Sequence, residues 1–359
     1  MLKVFVEAEK EEPIPVEKFA ELAKQLGDVE TEAEAMDYFT LVQAEKVGPS
    51  GVPVPDLYKR TPDAEIGLVC YCNLSKEGMD ILPNLKIVST MRAGTENLDI
   101  EEATKRGIAL VHCPGRNAEA VSDFAVAMLM TETFNVARMH MDMMKGVWKF
   151  EYPNSAITPI MKGKTCGIFG LGYIGRLTAR KMKGFGMDVI SYDPYVSEEA
   201  MAEIGVRKVE KDELFKESRF IIIHGRLVPE TYHTIGAHEL GLMRKDAILV
   251  NNARSGLIDM DALYEILKDH KIAGAALDVF DKEPLEENDR FTKLDNVTLT
   301  PHGSGAGDEV SLYAMQMAVD GVKSILDGEP NFQVINPEVT KTEEFQAWVK
   351  EANKKLGRA

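Results

Sequence analysis

The run Lys164-Thr165-Cys166-Gly167-Ile168-Phe169-Gly170-Leu171-Gly172-Tyr173-Ile174-Gly175 constrains this chain more than any other stretch. An apolar strand feeds a glycine turn, and a helix leaves it with Ile174, Leu177, Met182 and Phe185 expected on one face. In a chain with 28 glycines a bare G-x-G-x-x-G means little, but between a strand and a helix it predicts one geometry. Gly170 permits the tight turn, Gly172 lets a pyrophosphate approach the backbone, and Gly175 lets helix and strand pack closely. The free N–H groups at the helix start then face the phosphate charge. A P-loop ending in Gly163-Lys164-Thr165 is excluded, because Thr158 stands where its first glycine must be.

The next strand, Met187–Tyr192, ends at Asp193, 18 residues past Gly175. A carboxylate at that distance suits a ribose diol. It repels a 2′-phosphate, and Pro194, Tyr195 and Val196 offer no cation to accept one. NAD is therefore expected rather than NADP. The bland alternative is an ordinary strand–turn–helix with an incidental aspartate.

Around this turn, short apolar runs alternate with helical stretches. Thr165–Phe169, Met187–Tyr192, Phe220–His224, Ala247–Val250, Ile272–Leu277 and Val297–Leu299 read as strands, apolar throughout as in a parallel sheet covered on both faces. An earlier block repeats the pattern with Leu2–Val6, Ile66–Tyr71, Leu85–Ser89 and Ile108–Val111, and with helices at Val16–Leu26 and Ile100–Arg106. The expected fold class is α/β, with two Rossmann-like domains built on parallel sheets. A length of 359 residues agrees with about two domains. Val47–Pro62, rich in glycine and proline, is expected to be a loop. Asn117–Gly146 reads as one long helix holding six methionines, Asp308–Leu326 as a second, and the tail after Pro337 as one charged helix. The methionines suit adaptable packing at a domain or subunit contact better than a copper site.

Composition removes whole classes of partner. With 42 basic and 58 acidic residues the net charge is −16, which repels nucleic acid and anionic lipid. Met1–Lys10 lacks the apolar stretch of a signal peptide, and Phe124–Met130 is far short of the ~20 residues of a membrane span. Cys70, Cys72, Cys113 and Cys166 lack zinc-site spacing and read as small buried residues in a reducing compartment. His238-Glu239 begins like a zinc-protease helix, but position 242 is leucine, and His112, His140, His233 and His270 show no ligand spacing. A soluble cytoplasmic protein without a metal site is expected.

Three charged motifs follow strands: Asn251-Asn252-Ala253-Arg254-Ser255-Gly256, Leu277–Leu285 and Thr300-Pro301-His302-Gly303. In an open parallel sheet ligands bind beyond the carboxyl ends of the strands. Arg254 can grip a carboxylate with two parallel charge-assisted bonds. His302 can donate a proton to a carbonyl oxygen as hydride reaches its carbon, and remove it in reverse. Glu283 can hold the imidazole and favour its protonated form. Taken singly, Arg254 could be a surface arginine, Glu283 a solvated charge and His302 a capping or packed histidine. Together, downstream of a dinucleotide turn, they point to catalysis. His224 ends a strand on the cofactor side, where backbone contact is expected. Arg226 either adds positive charge near an anion or lies at the surface.

These motifs resemble the D-isomer-specific 2-hydroxyacid dehydrogenases, and among them the phosphoglycerate dehydrogenase branch. The resemblance runs from about Leu85 to Asn336 and includes Arg92-Ala93-Gly94-Thr95, Tyr192-Asp193-Pro194 and Pro301-His302. It implies Arg254 as substrate-binding arginine, Glu283 as supporting glutamate and His302 as acid/base. It implies NAD contacts at Thr95, Tyr173, Ile174, Asp193, Gly225, Asn252, Ala253, Asp278 and Gly305, and substrate loops at Asn73, Arg92, Ala93 and Gly94. It also implies a substrate domain of residues 1–117 and 306–359, an inserted NAD domain at 118–305, and a homodimer formed through that domain. Readings as an NAD-sensing corepressor-like scaffold, or as a dehydrogenase of another small anion such as formate or phosphite, share the fold. Arg226 replaces a commonly small or proline residue of the family, and Ser255 a common glycine.

Overall fold

Two all-parallel sheets organise the chain, and each belongs to its own compact unit in this computed structural model. The structure describes all residues except 11–13, 37–53, 71–72, 332 and 359. One unit comprises residues 1–117 and 306–359, the other residues 118–305.

The first unit carries β1 (Leu2–Glu9), β2 (Val29–Met36), β3 (Ile66–Val69), β4 (Ile87–Thr90) and β5 (Ala109–Val111), in the order β2-β1-β3-β4-β5. Side chains of a strand alternate between faces, and the core divides accordingly. Leu2, Val4, Val6, Ile66, Leu68 and Ile87 meet helices Val16–Ala23, Asp308–Asp327 and Glu343–Lys355 through Phe19, Met315, Val319, Phe345 and Val349. Phe5, Val69, Val88 and Leu110 face the other way, onto Tyr58, Met79 and Leu98.

The second unit carries β6 (Thr165–Phe169), β7 (Asp188–Tyr192), β8 (Arg207–Lys208), β9 (Phe220–Ile223), β10 (Ile248–Asn251), β11 (Gly274–Leu277) and β12 (Val297–Leu299). Their order is β12-β11-β10-β9-β6-β7-β8, so the direction of winding reverses between β6 and β9. Such a switch point opens a crevice at the carboxyl edge. The register sharpens this. Tyr192 pairs Phe169, Phe169 pairs Ile223, Ile223 pairs Asn251, Asn251 pairs Leu277, and Leu277 pairs Leu299. These residues form one row across the sheet, and whatever follows them emerges along one edge.

Several expectations need correction. Asn117–Gly146 is two helices, Ala118–Thr133 and Val136–Met144, broken where Asn135 adopts a left-handed φ of 57°. The Asn154 amide donates to the Glu132 carbonyl (3.0 Å), an acceptor that a continuing helix would need. The buried Glu132 carboxylate also takes Arg138 (2.9 Å) and Thr298 (2.7 Å). Desolvation pushes the Glu132 carboxyl up from its usual range. Helix Val136–Met144 buries none of its residues, and Met139, Met141, Met143 and Met144 are exposed, whereas Met128 is buried. The tail is two helices, Pro337–Thr340 and Glu343–Lys355.

Within Val47–Pro62, residues 47–53 lie outside the described residues, but Asp56–Arg60 is a helix that buries Leu57 and Tyr58. Tyr71 and Cys72 also lie outside them. Phe185 is exposed, because its helix ends at Gly184. Among the described residues no helix is long and apolar enough to cross a membrane. Cys70, Cys113 and Cys166 are buried, and burial pushes the Cys113 and Cys166 thiols up to about 12.

Candidate functional site

The glycine turn follows β6 directly. Gly170 has φ +93°, and a Cβ there would lie 2.7 Å from the Gly225 nitrogen, so this position requires glycine for conformation and for space. At Gly175 a Cβ would collide with the Gly170 carbonyl oxygen, which is the close helix–strand approach expected of it. At Gly172, the residue before helix Tyr173–Gly184, a Cβ would meet nothing within 4 Å. That open space beside unpaired helical N–H groups is where a pyrophosphate fits. Tyr173 is exposed and Ile174 half-buried at the start of this helix.

Asp193 follows β7. Its Oδ2 accepts from the Leu171 N–H (2.8 Å) and its Oδ1 from the Tyr195 N–H (2.9 Å). The carboxylate is thus pinned against the turn, in a position suited to ribose hydroxyls. His224 has a side-chain anchor besides the backbone contact expected of it. Its Nε2 lies 2.8 Å from Thr178 Oγ1 on helix Tyr173–Gly184, tying the end of β9 to the helix that leaves the turn. Enclosure lowers the imidazole pKa to about 3, so the ring is neutral. Gly225 packs against Gly170, and Arg226 is exposed.

The downstream motifs emerge along the same edge. Asn252 is buried; its amide donates to the Val121 carbonyl (2.9 Å), while its Oδ1 is a buried acceptor without a partner. An orphaned acceptor beside a nucleotide crevice fits a ligand that brings a donor. The Ala253 N–H is held by Asn251 Oδ1 (3.1 Å). Arg254 is exposed, donates only to the Ala253 carbonyl (2.7 Å), and has no acidic partner among the described residues.

His302 and Glu283 come together. Nδ1 of His302 lies 2.7 Å from Glu283 Oε2, and Glu283 Oε1 accepts from the Phe280 N–H (2.9 Å). The glutamate is oriented by the backbone on one side and orients the imidazole on the other, leaving Nε2 of a part-exposed ring for chemistry. Asp278 is fully buried against the turn that carries His302, and Gly305 closes the unit.

Thr95, Asn73, Arg92, Ala93 and Gly94 belong to the other unit, in the segments after β3 and β4. Asn73 is buried and its carbonyl accepts from Tyr58 Oη (3.2 Å). The Arg92 carbonyl accepts from the Cys113 N–H (2.7 Å), and His112 Nδ1 lies 2.9 Å from the Ala93 carbonyl. Sequence reasoning missed Thr178 and gave Thr300 no role within its motif, and their hydroxyls anchor His224 and Asp278. A threonine on the buried face of a helix was the available signal for the first. Among the described residues no group of three His, Cys, Asp or Glu side chains could hold a metal ion.

Known proteins resemble this chain in sequence and in fold. The family model described as D-isomer specific 2-hydroxyacid dehydrogenase, NAD binding domain, matches residues 126–304. A glyoxylate reductase of Korarchaeum cryptofilum is 39% identical over 269 residues, covering 75% of this chain and 81% of that protein. A D-3-phosphoglycerate dehydrogenase of Methanocaldococcus jannaschii is 35% identical over 289 residues, and the match covers 80% of this chain and 54% of that protein. The apo structure of Escherichia coli D-lactate dehydrogenase superposes with a TM-score of 0.70 at 26% identity, covering 93% of this chain and all of that one. A dinucleotide turn of this form, the carboxylate pinned beside it and these relatives have one common explanation: the chain belongs to the D-isomer specific 2-hydroxyacid dehydrogenases and is an NAD-dependent enzyme.

Proposed function

We propose that the enzyme interconverts a small 2-hydroxy acid and its 2-oxo acid, with glyoxylate the first substrate to try. Support for glyoxylate comes from the Korarchaeum relative, whose length is covered far better than that of the phosphoglycerate dehydrogenase. When bound, NAD supplies the hydride donor or acceptor. His302 Nε2 gives a proton to the substrate oxygen in reduction and takes it in oxidation. Glu283 holds the ring through Nδ1. Arg254 binds the substrate carboxylate through its unpaired guanidinium. Asn73, Arg92, Ala93, Gly94 and Arg226 contribute to substrate binding, and Thr95 to NAD.

The observation that carries this reading is the 2.7 Å pairing of His302 with Glu283 at the carboxyl edge of a nucleotide-binding sheet. In H302A, kcat for 2-oxo acid reduction should fall about 10²- to 10⁴-fold while NADH affinity, read by fluorescence titration, stays the same. Undiminished turnover would end the acid/base assignment.

The unit of residues 118–305 further serves as the dimer contact of a cytoplasmic homodimer in this reading. Helix Val136–Met144 presents its methionines to solvent, and Val147, Trp148 and Phe150 continue that apolar surface. A patch of this kind on one short segment marks an association surface. Sedimentation of the purified chain distinguishes one copy from two.

A further inference from the structure

Asp278 lies one residue beyond β11 and is fully buried. Every hydrogen bond of its carboxylate goes to the turn that holds His302. Oδ1 accepts from Thr300 Oγ1 (2.5 Å) and from the Gly303 N–H (2.9 Å); Oδ2 accepts from the Ser304 N–H (3.0 Å). The β11–β12 ladder reaches its last rung where the Thr300 N–H donates to the Leu277 carbonyl (3.0 Å). Past that rung the backbone cannot continue as a strand, because His302 has φ +52°. A non-glycine residue keeps such a conformation only when its surroundings hold it there.

We propose that Asp278 is a positioning residue for His302: its carboxylate replaces the missing ladder, holds residues 300–304 in place, and so presents the imidazole to Glu283. The proposal rests on the acid/base reading of His302. It goes beyond the NAD contact implied for Asp278 by resemblance, since a residue serving only the cofactor has no need of three donors from the histidine turn. Two carboxylates then share one task. Glu283, steadied by the Phe280 N–H, orients the ring, and Asp278 orients the backbone from which the ring projects. A buried acceptor with three donors, two of them backbone N–H groups, is a stiff anchor.

The test uses the full-length enzyme with saturating NADH. T300V removes one donor at nearly constant volume and leaves the carboxylate intact. D278N turns half of the acceptor into a donor that faces N–H groups. In T300V, kcat should fall about three- to tenfold, with the NADH dissociation constant within twofold of the parent, and T300S should recover most of the loss. In D278N, kcat should fall further. Amide hydrogen exchange at Gly303 and Ser304 should speed up in both variants. Unchanged kcat and unchanged exchange in T300V would overturn the proposal. So would weakened NADH binding with kcat preserved, which would make Asp278 a cofactor ligand only. If D278N does not fold, T300V and T300S decide. The exchange measurement is independent of turnover, so a failure of the acid/base reading, seen as full activity in H302A, is distinguished from a failure of the anchor.

Discussion

His224 makes the acid response of the nucleotide-binding unit calculable. Its imidazole is bonded to Thr178 and enclosed, and desolvation holds its pKa down to about 3, against 6.5 in an exposed histidine. The unfolded chain therefore binds a proton below pH 6.5 that the folded chain refuses until about pH 3. Stability from this group is fully present above pH 6.5 and is lost as pH falls through that window. At pH 5 the unfolded histidine lies about 1.5 units below its pKa, and at 1.36 kcal/mol per unit this amounts to about 2 kcal/mol. The residue keeps some solvent contact, so about 1 kcal/mol is the lower bound. H224N keeps a side chain able to bond Thr178 and removes the titration. Urea unfolding followed by circular dichroism, on parent and variant at pH 7.5 and pH 5, gives four free energies. The parent should lose about 1–2 kcal/mol more than H224N between the two pH values, since every other titrating group is common to both. Equal losses in the two proteins would refute the reasoning and mean that the ring titrates in the folded state.

The glycine turn offers a paired prediction. G175A should weaken NADH binding at least tenfold and cost about 1–3 kcal/mol of stability, because its methyl group meets the Gly170 carbonyl oxygen. G172A, whose methyl group enters open space, should leave urea stability nearly unchanged and weaken NADH binding alone; titrations in which both variants bind like the parent would contradict this assignment. For the association surface, joint replacement of exposed Met144 and Trp148 by glutamate should shift the sedimentation coefficient from two copies to one. A parent enzyme that already sediments as one copy would dismiss the dimer.

Much of this architecture was legible because it rests on short, local signals. The turn at Gly170–Gly175 needs particular residues at particular steps, and Asp193 follows at a fixed distance because strand and helix lengths are fixed. The shared edge was legible for a related reason: parallel strands in register deliver whatever follows them to one side, so the segments that carry Arg254, Glu283 and His302 could be assigned to one edge without any knowledge of their contacts. What failed to show was carried by tertiary context. β2 reads Val-Glu-Thr-Glu-Ala-Glu-Ala-Met, with too few apolar residues to stand out: Val29, Ala33 and Ala35 pack on the core from one face, and Glu32 and Glu34 pair with Arg60. β8 has only two residues. The break at Asn135 depends on Asn154, nineteen positions away, and no local periodicity reports that. The grip of Asp278 on the histidine turn is likewise a contact across twenty-odd residues.

The distribution of arginines connects the chain's charge to its chemistry. A protein of net charge −16 that captures small anions works against its own long-range field. The unit of residues 118–305 holds nine arginines. Six of them pair with acids: Arg138 with Glu132, Arg180 with Glu119, Arg207 with Glu213 and Glu217, Arg219 and Arg244 with Asp246, and Arg290 with Asp261. Arg176, Arg226 and Arg254 have no acidic partner among the described residues. Their places are alike: Arg176 follows the glycine turn, Arg226 follows β9, and Arg254 follows β10. Neighbouring carboxylates neutralise the guanidinium groups elsewhere on the unit, and the three left with their charge gather at the carboxyl edge. An arginine without a carboxylate partner keeps its donors and its charge for a ligand. Screening limits the bulk field to about 8 Å at physiological salt, so a phosphate or carboxylate that reaches this edge meets local cations more than the net charge. The acidic composition thus repels polyanions at long range, while three side chains at this edge keep their positive charge.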